Sequence, residues 1–172
     1  MAYTSPRGRV PDVIPGNVQA SMRTSVRGVE GLKALAGVEI PPSPWLKVTQ
    51  ERVDAFALAT DDAQWIHVDR DRARDGPYGA TVAHGFLTLS LIPHLWRQAV
   101  QIDDVRMSVN YGLNKVRFPA PLIVPSRVRA HFRVHDVKVI RNAVRSSVRV
   151  TLEREGSVKP VCVAELLLLH YP

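Results

Sequence analysis

The sequence has 172 residues, of which 45% are hydrophobic and 23% are charged, and its formal net charge at pH 7 is +7. This size and composition suit one globular domain with a single core. A membrane span and a nucleic-acid partner are not expected. No stretch approaches the roughly 20 apolar residues of a membrane helix, and zinc-finger spacings, Walker loops and dinucleotide-binding glycine fingerprints are absent from the sequence.

The first 21 residues hold three prolines and two glycines and show no hydrophobic periodicity. This composition is typical of a disordered arm, and it lacks the apolar segment of a secretory signal. We therefore expect a disordered extension over 1–21 and one folded domain over 22–172. The single cysteine, Cys162, cannot form an internal disulfide, which favours a reducing, cytoplasmic location.

Short elements are predicted in the first half of the chain. The spacing of apolar residues predicts a helix over 29–36, and a short strand is expected over 45–48. Thr49 is a suitable N-cap for a helix over 50–60. A further short helix is expected over 69–75.

Residues 84–100 predict a buried helix. The segment HGFLTLSLIPHLWRQAV carries apolar residues on nearly every face, which is the pattern of a helix surrounded by protein. Pro93 lies inside this segment and predicts a kink or a weakened turn.

The rest of the chain predicts antiparallel strands. Apolar and polar residues alternate over 105–113, 128–134 and 144–152, a hairpin turn is expected at Gly156, and the apolar run 161–169 is typical of a central strand. The strand arginines are expected on the outer, wet face of the sheet. A sheet that curls around the buried helix hides the apolar surface of both. The predicted fold is therefore α+β, in the hot-dog arrangement.

The segment TDDAQWIHVD carries the candidate catalytic groups. Asp62 and His67 lie five residues apart in a stretch without strong periodicity, where a loop can direct both side chains at one water molecule. A neutral imidazole can accept a proton from that water while the carboxylate orients the pair. From the residues alone, a salt-bridged or capping pair remains the alternative.

The segment AHGF opens the predicted central helix. The first amides of a helix have no acceptor within it, and Gly85 has no Cβ, so a substrate carbonyl can approach its N–H closely. Such an arrangement forms an oxyanion hole. A glycine tolerated at a tight helix start is the alternative, and His84 is expected either to cap or pack there or to contact the substrate.

Together the two segments resemble a known family. The string DDAQWIHVDRDRARDGPYGATVAHGF is similar to the hydratase 2 motif of MaoC-like (R)-specific enoyl-CoA hydratases, Gly-Asp-x-Asn-Pro-(Ile/Leu)-His-x-Asp followed by Ala-His-Gly. The resemblance continues through YGLNKVRFPAPLIVPSRV and covers about residues 43–169. Within the family, it looks closest to single-domain actinobacterial dehydratases.

The resemblance implies a hot-dog fold, usually dimeric, and the reversible hydration of trans-2-enoyl-CoA to (R)-3-hydroxyacyl-CoA in fatty acid metabolism. It places the catalytic pair at Asp62 and His67 and the oxyanion-hole glycine at Gly85. It implies no metal and no redox cofactor, because coenzyme A enters as part of the substrate. A homodimer is expected, since unpaired edge strands invite pairing.

Two departures from the family concern the loop after the second helix. Asp61 stands where glycine is common, and aspartate tolerates a positive φ better than most residues. Asp61 also offers a second carboxylate, but the register of the motif favours Asp62. Gln64 and Trp65 replace the usual Asn-Pro, so the shape of the loop is expected to differ.

Further residues are candidates for substrate binding. Lys115 and Arg117 are expected either to contact coenzyme A phosphates or to be outward strand charges. Gln64 and His84 are further candidates, and Trp65 is expected either to shape the acyl entrance or to pack.

Two other functions fit the same fold. One is a hot-dog thioesterase, which acts on acyl-CoA and releases the thiol. The other is a hot-dog protein that binds acyl-CoA without catalysis, and the replacement of the family's glycine by Asp61 is the feature in its favour.

Overall fold

The computed structural model describes residues 23–172. The extension over 1–21 lies outside the described residues, so its disorder stays a prediction. The elements in chain order are β1 (Thr24–Arg27), α1 (Gly28–Ala34), β2 (Glu39–Ile40), β3 (Leu46–Val48), α2 (Gln50–Thr60), α3 (Trp65–Val68), α4 (Arg70–Arg74), α5 (Gly85–Ser90), α6 (Ile92–Ala99), β4 (Val100–Asp103), β5 (Met107–Arg117), β6 (Ser126–Ile140), β7 (Ala143–Arg154) and β8 (Cys162–Tyr171).

A six-stranded antiparallel sheet dominates the described part of the chain. Its order is β2-β6-β7-β8-β5, and β3 pairs with β6 further along the same edge as β2. The turn between β7 and β8 has a positive φ at Gly156 and is closed by the Ser157 amide on the Arg154 carbonyl at 3.0 Å. β1 and β4 form a separate parallel pair, which the sequence did not predict because four-residue strands carry little periodicity.

The inner face of the sheet forms the core. The alternation predicted over 128–134 is confirmed, since each inward residue of β6 is at most 3% exposed. This face packs against α6, where the rings of Trp96 and Phe132 meet edge to face at 5.1 Å between centroids. The sheet and the helix hide each other's apolar surface, which is the predicted hot-dog arrangement.

The central helix consists of two segments. Residues 84–100 were expected to form one helix, and the structure divides it into α5 and α6 around Leu91. Pro93 has no N–H to donate to the preceding turn, which explains the weakened ladder there. The bonds from Leu91 N to Leu87 O (3.2 Å) and from Leu95 N to Leu91 O (3.1 Å) carry the chain across the break.

The prediction that this helix is buried on every face is wrong. Phe86, in the first turn of α5, is 73% exposed. The sheet covers one side of the helix and leaves the side with Phe86 open. Apolar composition alone does not reveal which side a single chain leaves uncovered.

Strand β5 was expected to be half-buried, and this is also wrong. It lies at the edge of the sheet, and its alternating apolar residues are 37–61% exposed: Met107, Val109, Tyr111 and Leu113. Two shifts of register against β8 interrupt its pairing, between Asn110 and Gly112 and between Leu113 and Lys115. The strand overlaps the predicted segment 105–113 but begins two residues later and ends four residues later, and its apolar residues are not covered within this chain.

The shorter helices lie close to their predicted positions. α2 has the bounds that the sequence predicts, and α1 and α4 differ by one or two residues at each end. Asp69 caps α4 by accepting the Arg72 amide at 3.0 Å, whereas Thr49 occupies the N-cap of α2 without a side-chain capping bond. No helix within residues 23–172 is long and apolar enough to cross a bilayer.

A histidine lies fully buried in β8. The Nε2 of His170 is 2.9 Å from the hydroxyl of Ser146, and its Nδ1 is 2.9 Å from the hydroxyl of Ser108. Serine hydroxyls can donate or accept, so they satisfy both nitrogens of a neutral ring. Burial lowers the pKa of His170 from 6.5 to about 4.

Folding stability is expected to depend on pH through His170. Because the folded protein binds this proton more weakly than the unfolded chain, the free energy of unfolding should fall as the pH drops from about 6.5 towards 4. The full loss is on the order of 3 kcal/mol. Urea denaturation between pH 7.5 and 4.5 measures it. His170→Gln, which does not titrate, is the control and should show a shallower dependence. Equal slopes for the two proteins would contradict the prediction.

Candidate active site

The loop that carries the candidate acid begins with a left-handed residue. α2 ends at Asp61, whose φ of 57° and ψ of 19° reverse the chain direction. The expected positive φ at this position is therefore confirmed. Asp62 follows directly and is exposed. The turn brings the chain back towards α3, which carries His67.

His67 is a buried imidazole with one nitrogen committed. It is 7% exposed, and its Nδ1 lies 2.6 Å from the carbonyl oxygen of Val82. A carbonyl only accepts, so Nδ1 carries the proton and Nε2 of the neutral ring is free to accept another. Burial is the main reason that the pKa of His67 is lowered, against the opposing effects of the Val82 bond and the Asp62 charge. The ring is thus a neutral base near pH 7.

The structure brings the two predicted catalytic residues together. A carboxylate oxygen of Asp62 and one ring nitrogen each of His67 and His84 all lie within 4.8 Å of one another. Asp61 does not belong to this group, which favours Asp62 as the carboxylate beside the imidazole. The turn between Asp62 and His67 thus brings the two side chains close together. The group lies where α5 begins, because His84 is the N-cap residue of that helix.

His84 occupies the N-cap position of α5, without a side-chain capping bond, and packs against His67. It is 2% exposed, and its ring stacks on that of His67 with 3.8 Å between centroids and 28° between planes. Its Nε2 lies 2.8 Å from the carbonyl oxygen of Asp62, while its buried Nδ1 has no hydrogen-bond partner among the described residues. Such burial favours a packing role over direct contact with a substrate.

Gly85 follows His84 directly in the chain and lines a cleft. As the first residue of α5 it has no acceptor for its N–H within the helix. A Cβ at this position would lie 3.0 Å from the ring of Phe118, which is tighter than an ordinary contact, so the glycine permits this close approach. The cleft has a volume of about 420 Å³, and residues lining it include Tyr78, Gly85, Thr88, Phe118 and Leu122.

Buried polar residues that the sequence analysis missed hold the site in place. The Gln50 side chain donates to the His67 carbonyl at 2.7 Å and accepts from the Thr81 hydroxyl at 2.5 Å. The Thr88 hydroxyl donates to the His84 carbonyl at 3.0 Å. No sequence signal identifies them, because a glutamine in a first helical turn and isolated threonines are common surface residues.

Gln64 and Trp65 form the start of α3. The Gln64 side chain is exposed, and its carbonyl accepts the His67 amide at 2.9 Å. Trp65 packs against Gly76, where a Cβ would meet its ring at 3.0 Å, and the guanidinium of Arg72 lies 4.4 Å from its ring centroid. Both residues shape the loop around His67.

Lys115 and Arg117 are exposed near the end of β5. The Arg117 guanidinium donates to the Val116 carbonyl at 2.7 Å. Neither cation forms an ion pair within 4.0 Å among residues 23–172. Both are therefore available to an anionic group at the edge of the sheet.

The three side chains of the site are also possible ligands for a metal ion. Asp62, His67 and His84 are ligand types for a divalent metal, but Nδ1 of His67 and Nε2 of His84 are bonded to carbonyl oxygens. The remaining Nδ1 of His84 is buried. The donor atoms without a bond to these carbonyls are Nε2 of His67, Nδ1 of His84 and the Asp62 carboxylate oxygens.

The chain is similar to proteins of one family over most of its length. It is 51% identical over 150 residues to 3-hydroxyacyl-thioester dehydratase Z of Mycobacterium tuberculosis, which covers 87% of this chain and 99% of that protein. Its fold is similar to that of a monoamine oxidase regulatory protein from Archaeoglobus, with a TM-score of 0.70 and 19% identity over 87% of this chain and 97% of that one. An R-hydratase from Pseudomonas aeruginosa has a TM-score of 0.61 and 20% identity, over 77% of this chain and 81% of that one. A family model described as MaoC like domain matches residues 33–155, the range that holds the whole site, and the chain belongs to this MaoC-like domain family.

Proposed function

We propose that the protein is a hydro-lyase that reversibly adds water to trans-2-enoyl-CoA to give (R)-3-hydroxyacyl-CoA. The observation that carries the proposal is the convergence of the Asp62 carboxylate and the His67 imidazole within 4.8 Å, next to the first amide of α5. The relative named as a 3-hydroxyacyl-thioester dehydratase supports the reaction class. The (R) stereochemistry and the place in fatty acid metabolism rest on the resemblance of the motif.

His67 supplies the base in this reaction. Its Nε2 accepts a proton from water as the water oxygen attacks C3 of the enoyl chain. Val82 fixes the tautomer by accepting the Nδ1 proton at 2.6 Å. The negative charge of Asp62 stabilises the imidazolium that forms, in keeping with its upward effect on the pKa of His67.

Gly85 stabilises the charge that develops on the thioester. Its N–H donates to the carbonyl oxygen, where an enolate forms as C3 is attacked. A proton then returns from the dyad to C2, so the net change is the addition of one water across the double bond. Coenzyme A stays attached throughout, and the reaction needs no redox cofactor and no metal.

The structure weakens the case for a non-catalytic acyl-CoA-binding protein. That alternative drew support from Asp61 in place of the family's glycine. Asp61 adopts the positive φ of 57° that a glycine would provide there, so the loop keeps its turn. A hot-dog thioesterase remains the alternative that an assay must separate.

Replacement of either dyad residue is expected to abolish most of the activity. Asp62→Asn or His67→Asn should lower kcat/KM for enoyl-CoA by about 100-fold or more, because each removes an acid–base contribution. The loss of absorbance of the conjugated thioester measures hydration, and a thiol reagent measures any release of coenzyme A.

Asp61→Asn is the matched control for the dyad, since asparagine also tolerates a positive φ. It should keep most of the wild-type rate. Near-wild-type hydration by Asp62→Asn or His67→Asn would refute the dyad, and stoichiometric thiol release by the wild type would favour the thioesterase.

Gly85→Ala is expected to impair catalysis through Phe118. The new Cβ would lie 3.0 Å from the Phe118 ring, so either the ring or the start of α5 must move, and the amide loses its alignment. The loss of one oxyanion-hole donor typically lowers kcat by about 10²–10³-fold. Steady-state kinetics measures the effect, and Gly85→Ala combined with Phe118→Leu should recover part of it. Full activity of the single variant would argue against a carbonyl at this amide.

We also propose that two copies of the chain pair through β5. This strand is an unpaired edge that exposes Met107, Val109, Tyr111 and Leu113 on one molecule. Exposed edges with apolar side chains favour association with another strand. A partner in this position would cover the apolar residues that the single chain leaves open.

A charge in the middle of β5 is expected to separate the two copies. Light scattering coupled to gel filtration should give a dimer for the wild type and a monomer for Tyr111→Glu. Val139→Glu is the control, because Val139 is equally exposed but lies near the far end of β6. A monomeric wild type, or a Tyr111→Glu dimer as tight as the wild type, would contradict the pairing.

A further inference from the structure

His84 connects the two halves of the site. It lies 22 residues after Asp62 along the chain, yet its Nε2 is 2.8 Å from the Asp62 carbonyl oxygen. Because that oxygen only accepts, the histidine donates from Nε2. The bond therefore ties the main chain of the exposed loop residue to the buried start of α5.

The ring of His84 also limits where the catalytic base can lie. It stacks on His67 with 3.8 Å between ring centroids. The ring of Phe56 also contacts it, with 5.0 Å between centroids and a 52° angle between planes. The Thr88 hydroxyl holds the His84 carbonyl at 3.0 Å. His84 is thus fixed from several directions and provides a rigid surface for His67.

The hydrogen-bonding pattern places a proton on Nε2 of the His84 ring. Its Nδ1 is buried and has no partner among residues 23–172. Protonation there would bury an N–H without an acceptor, which costs about 1–3 kcal/mol or more. The titratable groups that approach the ring are Asp62 from the loop and His67 from α3. The bond to the Asp62 carbonyl therefore fixes a proton on Nε2 of His84.

We propose that His84 is a positioning residue: it holds the Asp62 backbone and the His67 ring in one rigid unit beside the Gly85 amide, without touching the substrate. This inference rests on the proposed function of the dyad. It assigns the buried histidine a role in the alignment of the carboxylate, in place of the substrate contact considered from the sequence.

Two side chains of similar length test the bond. His84→Gln keeps an N–H near the position of Nε2, whereas His84→Met fills similar space without a donor. A misplaced catalytic group typically costs on the order of 100-fold in rate. His84→Met should therefore lower kcat by about 10- to 100-fold with little change in KM, and His84→Gln should restore most of kcat.

A double-mutant cycle separates positioning from a general loss of structure. Asp62→Asn should reduce kcat far less in the His84→Met background than in the wild type, because the carboxylate there is already misaligned. The same fold reduction in both backgrounds would overturn the proposal, as would equal activities of His84→Gln and His84→Met. If Asp62→Asn were harmless in the wild type, the dyad itself would fail, and the role of His84 would fail with it.

A measurement on the unmutated protein covers the case in which His84→Met does not fold. Nitrogen-15 NMR of labelled histidines distinguishes the two neutral tautomers and the imidazolium. The His84 signals, assigned by their loss in His84→Gln, should show a protonated Nε2 near pH 7. An unprotonated Nε2 would exclude the bond to Asp62 and overturn the proposal.

Discussion

The site depends on two stacked imidazole rings, each of which donates a hydrogen bond to a backbone carbonyl. His67 donates to Val82 and His84 donates to Asp62, and the rings lie 3.8 Å apart. These two bonds join the loop after α2 and the adjoining helix α3 to the segment that leads into α5, over separations of 15 and 22 residues. Nδ1 of His67 and Nε2 of His84 are committed to these bonds, and Nδ1 of His84 is buried. Of the nitrogens of the two rings, this leaves Nε2 of His67 as the base that can act on a ligand.

The packing of the core decides where this pair lies. α5 and α6 run along the inner face of the sheet, so the first turn of α5 lies at the rim of the apolar cluster. There the imidazoles are buried, while the Asp62 carboxylate remains exposed. The burial of His67 lowers its pKa and keeps the ring neutral, while the Asp62 carboxylate stays in contact with solvent. This combination suits a base that must gain a proton and lose it again.

Part of the positive charge of the chain lies in arginine side chains on the outer face of the sheet. Arg129 forms a two-point contact with Glu153, at 2.9 and 3.2 Å, and lies 4.6 Å from the ring centroid of Trp45. The same arginine is the main reason that the pKa of Glu153 is lowered, with His131 contributing. Arg129 lies on the wet face as predicted, and its partner Glu153 belongs to the neighbouring strand β7.

The sequence by itself determined the strands, most of the helices and the pair of catalytic candidates. Strand alternation has a period of two wherever one face is buried, so β6 and β7 followed directly from the order of apolar residues, and the continuous apolar run over 161–169 predicted β8. The aspartate, histidine and glycine of the site lie in short segments whose spacing carries the resemblance to the family. Asp61 was also interpretable, since few residues tolerate a left-handed turn.

Only the tertiary structure decided how these segments meet and which surfaces stay open. The bonds from His84 to Asp62 and from Gln50 to His67 join residues 22 and 17 positions apart, and no local pattern encodes them. The exposure of Phe86 and of β5 likewise depends on which elements cover them, whereas composition records only that they are apolar. Local sequence sets the preferences of each segment, but contacts between distant segments fix the tautomers, the burial and the uncovered edge.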